Sequence, residues 1–147
     1  MNSTESAIQQ VNSFFDEFSH ALQRFDTKAM AFLYNMPCTL LADESTTPFT
    51  NATKLEGFFN QGASAYRQFG ITNVRHEVWT KHRWTDKMVL VKVKWYYSNA
   101  KNELVYSCDY QYIMKTDKNN QLKIAMSISL NEKEQMEEWK KRVGYVG

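Results

Sequence analysis

Residues 88–97, MVLVKVKWYY, alternate with period two: Val89, Val91, Val93, Trp95 and Tyr97 fall on one side, and Lys92 and Lys94 on the other. That period belongs to a half-buried β-strand rather than to a helix. The stretch has similar neighbours on both sides. Upstream, Val74, His76, Val78, Thr80 and His82 share one face, and Thr85, Asp86 and Lys87 make the turn into residues 88–97. Downstream, after a turn at Asn99–Asn102, Leu104, Tyr106, Cys108, Tyr110, Tyr112 and Met114 form a third stripe. A turn at Asp117–Gln121 leads to the fourth, Leu122, Ile124, Met126, Ile128 and Leu130. Neighbouring strands joined by short polar turns predict an antiparallel meander between Ile71 and Leu130.

The preceding half of the chain is helical. Ile8, Val11, Phe15, Phe18, Leu22 and Phe25 recur at three and four residues, the stripe of an amphipathic helix widened by Phe14 and Ala21. Asp26 is placed to cap a second short helix over Thr27–Tyr34, and Pro37 ends it and starts an extended run, Cys38–Ala42. Asp43–Asn51, with Pro48, reads as a polar loop or small hairpin. Thr53 and Glu56 have capping-box spacing for a third helix carrying Leu55, Phe58, Phe59, Tyr66 and Phe69 and ending at Gly70. A meander with one apolar face must cover it, and these helices are the available cover. The expected fold class is α+β: N-terminal helices packed on a strongly curved antiparallel meander, a cone with room for a cavity at its wide end.

A last helix is expected from Asn131 to Val143. Asn131 and Glu134 have capping spacing, and acidic residues lead while Lys140, Lys141 and Arg142 follow, as the helix dipole favours. Its apolar positions are few, so Trp139 is the expected anchor onto the body, a partner subunit or the mouth of the cone.

The chain has 147 residues, 43% hydrophobic and 14% aromatic, with a formal net charge of +2. The length suits a single domain over 1–147, with its core at about 8–130. The charge is too small and too interspersed for nucleic-acid binding. Met1–Gln10 lacks the basic and apolar regions of a secretory signal, and no segment has the roughly 20 apolar residues of a membrane span, so the expected location is cytoplasmic. Cys38 and Cys108 lie inside apolar runs and read as reduced packing residues. Trp79, Leu90 and Tyr96 sit among charges on the outer sheet face, a surface suited to a homodimer.

The order helix, helix, short strand, polar loop, helix and four-strand meander resembles the nuclear transport factor 2-like superfamily, including its SnoaL-like and ketosteroid isomerase-like branches. The resemblance covers roughly Ile8–Leu130 and includes Ala21-Leu22-Gln23-Arg24-Phe25-Asp26 at the close of the first helix. It implies the cone fold but not one function, because enzymes, ligand binders and adaptors share it. In the ketosteroid isomerases a carboxylate base works with an oxyanion hole built from a tyrosine and a protonated aspartic acid. By position Asp43 matches the base and Asp109 the protonated acid. Phe18 stands in place of the tyrosine, and a phenyl ring donates no hydrogen bond.

From the residues themselves, Asp109 alternates with Ser107 and Gln111, so a regular strand turns it away from the helices and only a bulge brings it into the cavity. Asp43 precedes a run of turn formers. His76 is either an acid or base within a cavity or a packed, hydrogen-bonded core histidine. Phe18, Tyr34, His76 and Trp95, with Tyr106, Cys108, Tyr110 and Tyr112, are the expected ligand-binding residues, and the clustered tyrosines are the clearest pocket signal. No motif points to a cofactor, and no ligand set to a metal. The expectation is a dimeric binding or accessory module with an aromatic cavity for a small apolar molecule. The alternatives are a small acid–base enzyme, an isomerase, cyclase or dehydratase acting beside a carbonyl, with Asp43 or His76 as base and Asp109 or a tyrosine as donor, and a protein-interaction scaffold.

Overall fold

The computed structural model describes residues 5–146; the polar start at residues 1–4 and the final residue lie outside it. A 3-10 turn at Ile8–Gln10 runs into α1 (Val11–Gln23), followed by α2 (Thr27–Phe32), β1 (Tyr34–Ala42), β2 (Ser45–Phe49) and α3 (Ala52–Gln68). The long strands β3 (Ile71–Arg83), β4 (Met88–Asn99), β5 (Leu104–Thr116) and β6 (Leu122–Ser129) come next, and α4 (Glu132–Val143) ends the fold.

The meander closes into a six-stranded sheet in the order β2-β1-β6-β5-β4-β3. Here β1 joins β6 in parallel, and the remaining neighbours are antiparallel. The segment expected to be a loop is therefore the β1–β2 hairpin. Pro48 sits on its edge strand, the place in a sheet where proline is tolerated. The β1 strand begins at Tyr34, before Pro37, and α2 is correspondingly shorter than expected.

Local capping explains the helix starts. The Asp26 side chain accepts from the Ala29 N–H, as expected. At α3 the cap is Asn51 rather than the Thr53–Glu56 pair: its Oδ1 accepts from the N–H groups of Thr53 at 2.8 Å and Lys54 at 3.3 Å. Gly70 adopts φ +77° just past α3, the left-handed conformation that a glycine tolerates. At α4, Asn131 makes no side-chain cap; its amide is engaged elsewhere.

The core lies between α1 and the sheet. Phe15, Val89, Val91, Val93 and Trp95 are at most 1% exposed, and the Phe15 ring meets Trp95 and Tyr112 at centroid distances of 6.3 and 5.2 Å. Cys38 and Cys108 are both free and buried.

Two bulges correct the expected stripes. In β6, Ile124 pairs with Met114 and Met126 with Ile113, so Ala125 is an extra residue and the alternation reverses. Ser127 and Ser129 consequently oppose the inward Tyr112 and Tyr110, while Met126 and Ile128 turn outward. In β3, Val78 pairs with Val93 but Thr80 with Lys92, so Trp79 is the extra residue. Beyond it His82 pairs with the outward Leu90 and is exposed, no longer on the face of Val74 and His76. No helix among the described residues is long and apolar enough to cross a membrane.

Candidate functional site

Between α3, the concave face of the sheet and the start of α4 lies a cavity of about 460 Å³, within the range of small-molecule sites. Its existence follows from side-chain size. On α3, bulky Phe58 and Phe59 are followed one and two turns later by Gly62, Ala63 and Ala65 before Tyr66 restores bulk. On β6 the bulge presents Ser127 and Ser129 where the unbroken alternation would present larger apolar residues. Small side chains on both sides leave space that Phe18, Trp95 and Tyr112 floor with aromatic rings.

A polar cluster gathers at one end, on Glu132. This first residue of α4 accepts from the hydroxyls of Tyr66 and Tyr106 on Oε2 at 2.8 and 2.7 Å, and from Tyr110 on Oε1 at 2.5 Å. The Tyr97 hydroxyl lies 3.3 Å from that of Tyr66, whose single proton is on Glu132, so Tyr97 donates to it. Burial first, and then the negative carboxylate, push the Tyr106 and Tyr110 phenols well above their ordinary range, so these rings are neutral donors. The Cys108 thiol, behind the tyrosines, is pushed up by burial and by Glu132 and is no nucleophile. Deeper in the cavity the Trp95 indole N–H donates to the Tyr112 hydroxyl at 2.9 Å.

Glu132 is positioned from outside the cavity. Asp109 faces away from the cavity, as regular alternation requires, and its N–H donates to Asn131 Oδ1 at 2.8 Å while Asn131 Nδ2 donates to Asp109 Oδ2 at 2.9 Å. The helix is held at its other end by Trp139, whose ring packs on Phe69 and Tyr145 at 4.9 and 5.5 Å.

Of the residues singled out from the sequence, Phe18, Tyr34, Trp95, Tyr110 and Tyr112 line this cavity. Tyr106 and Cys108 are buried beside it, and Tyr106 reaches it through Glu132. Asp43 is exposed in the β1–β2 turn. His76 is outside the cavity, at the α1–β3 contact: Nδ1 is hydrogen-bonded with Ser19 Oγ at 2.5 Å, and Nε2 is 3.6 Å from Asp16 Oδ1. Although these residue types match a catalytic triad, the serine is 8% exposed and the carboxylate side chain 71% exposed, the reverse of what an accessible nucleophile and a buried orienting acid require. Among the described residues no cluster of three or more His, Cys, Asp or Glu is arranged to hold a metal ion.

Glu132, Tyr66 and Tyr97 were not singled out as site residues. Glu132 reads as a first-turn acid favoured by the helix dipole, and the two tyrosines read as members of apolar stripes. The available signal was position: α4 begins three residues after β6 ends, so its first turn must fall at the end of the sheet where the tyrosines lie.

No curated protein matches the chain. Among solved structures it is similar to a domain of unknown function with a cystatin-like fold from Nostoc punctiforme, at 12% identity and TM-score 0.68, covering 86% of this chain and 77% of that one. A ketosteroid isomerase-like protein from Erwinia carotovora atroseptica aligns at 12% identity and TM-score 0.60, covering 84% and 94%. A protein from Catenulispora acidiphila in complex with S-DNPA aligns at 12% identity and TM-score 0.64, covering 83% and 90%. At these identities the likeness is one of fold. The sequence model of the family described as NTF2-like protein (DUF6841) matches residues 5–132, and the chain belongs to that family.

Proposed function

We propose that this protein is a small-molecule-binding or accessory module whose cone cavity holds a mainly apolar ligand, without catalysis of its own. One observation carries the reading: a cavity of about 460 Å³ walled largely by aromatic and aliphatic side chains, with three phenols converging on a single carboxylate at one end. Such a division, apolar walls with a few fixed polar groups, is what orients a small ligand. The acid–base reading lacks its named bases, since Asp43 lies in an exposed turn and His76 is outside the cavity; of its named donors Asp109 faces outward, while tyrosines line the cavity.

The module is proposed to work as a homodimer through the outer sheet face, where Trp79 is half exposed with the Lys92 and Lys94 amines 5.3 and 5.2 Å from its ring and Met126 and Ile128 are turned outward.

Native mass spectrometry of freshly purified protein, repeated after denaturation, tests both statements. A dimer carrying a mass released on denaturation is the expected result. Monomer at all concentrations removes the dimer. A ligand-free protein that takes up nothing from a library of apolar small molecules removes the binding function.

A further inference from the structure

Glu132 stands out for its aromatic surroundings. Three phenols donate to it, and the Cys108 thiol is hydrogen-bonded to it as well. Among the described residues no lysine, arginine or histidine nitrogen forms an ion pair with it, and the cavity lining contains none of these residue types. With three phenolic hydrogens directed at its two oxygens, the carboxyl group serves these neighbours as an acceptor. Phenols and the N-terminus of α4 favour a negative charge there but do not neutralise it. The rings of Tyr66, Tyr97 and Tyr110 line the cavity beside it, with Trp95 deeper, and aromatic rings attract cations.

Resting on the cavity-binding function proposed above, we infer that the ligand is an organic cation: an amine or quaternary ammonium whose charged head sits at Glu132 within the tyrosine cage and whose apolar body lies against Phe18, Phe59 and Trp95. An anionic ligand would meet repulsion at Glu132, with no lysine, arginine or histidine among the described lining residues to compensate it. A neutral ligand would leave that charge without a partner.

The test uses three probes with one aromatic body: benzyltrimethylammonium, its neutral carbon isostere neopentylbenzene, and phenylacetate. Binding to the full chain is read by tryptophan fluorescence, since Trp95 lines the cavity. The cation is expected to bind at least about tenfold more tightly than the isostere, phenylacetate weakest, and the ratio to fall to about one in Glu132→Gln. Equal affinities for cation and isostere in the wild type overturn the cation inference while leaving the apolar cavity standing. Tighter binding of phenylacetate overturns it too, as does a cation preference that survives in Glu132→Gln. Binding of none of the three overturns it as well, and the native mass measurement then judges the cavity itself. If Glu132→Gln does not fold, the wild-type ratio decides alone.

Discussion

Asp109 and Asn131 grip each other twice across the end of the sheet. The Asp109 N–H donates to Asn131 Oδ1, and Asn131 Nδ2 donates back to Asp109 Oδ2, at 2.8 and 2.9 Å. The Leu130 N–H adds a third bond, to the Asp109 carbonyl at 3.0 Å. The aspartate that invites reading as a catalytic acid thus anchors the residue next to Glu132, and it does so from the opposite side of β5.

Asn131→Ala removes both side-chain bonds, one of them to a carboxylate. We expect a loss of about 1–3 kcal/mol in urea unfolding, with faster amide exchange in the first turn of α4 and weaker ligand binding. Glu134→Gln, by contrast, should change stability by less than about 0.5 kcal/mol, because Asn131 makes no cap with that helix. A large effect of Glu134→Gln with none from Asn131→Ala would restore the capping-box reading and refute the anchoring one.

Six tyrosines, Tyr34, Tyr66, Tyr97, Tyr106, Tyr110 and Tyr112, are raised above the ordinary phenol value, with burial the largest cause in each. Their folded values lie above the unfolded value of about 10. The associated stability is therefore fully present below about pH 10 and is lost as pH rises beyond it. Followed by phenolate absorbance, these residues should ionise in one cooperative step that coincides with loss of the circular dichroism signal. Gradual ionisation of the six while the fold is intact would show that the cage is open to solvent.

How much of this was legible in the residues depends on whether local rules were allowed to run. The stripe of β4 and the regular alternation of β5 could be read directly, including the outward turn of Asp109, because no bulge interrupts β5 between Tyr106 and Lys115. In β6 the single extra residue at Ala125 reversed the faces of everything after it, and a bulge has no composition of its own to announce it. The parallel pairing of β1 with β6 was equally hidden, since it joins segments far apart in sequence through backbone groups alone. The site shows the same division. Aromatic members such as Trp95 and Tyr112 stood out because of their alternation. Glu132 did not, because its role comes from three tyrosines contributed by α3 and β5.

His76 supplies a pH-dependent contribution of the opposite kind. Burial lowers its value from the ordinary 6.5, opposed by the carboxylate of Asp16 and assisted by Arg75 and His20. A folded value below the unfolded one means that stability is fully present above about pH 6.5 and is lost as pH falls through the folded value. Denaturant unfolding of the wild type should therefore weaken between about pH 7.5 and pH 5 more than that of His76→Gln. Asp16→Asn, which removes the opposing carboxylate, should steepen the loss. A pH profile of His76→Gln that superimposes on the wild type would exclude the histidine as the source.

Gly62 is where stability and binding should separate. It lies inside α3, lines the cavity, and a Cβ built there meets no atom within 4 Å. A glycine within a helix costs roughly 0.5–1 kcal/mol relative to a good helix former, and no close contact demands that it be retained. Gly62→Leu should therefore raise stability by about that amount, seen as a higher urea midpoint at unchanged slope. Because the added side chain extends into space next to the cavity, the same variant should bind the ligand at least about tenfold more weakly, equivalent to 1.4 kcal/mol. Gly62→Ala, which adds only a methyl group, should keep most of the stabilisation and most of the binding. The contrast between the two isolates cavity volume from helix propensity. Full binding by a stabilised Gly62→Leu would place the ligand elsewhere on the protein.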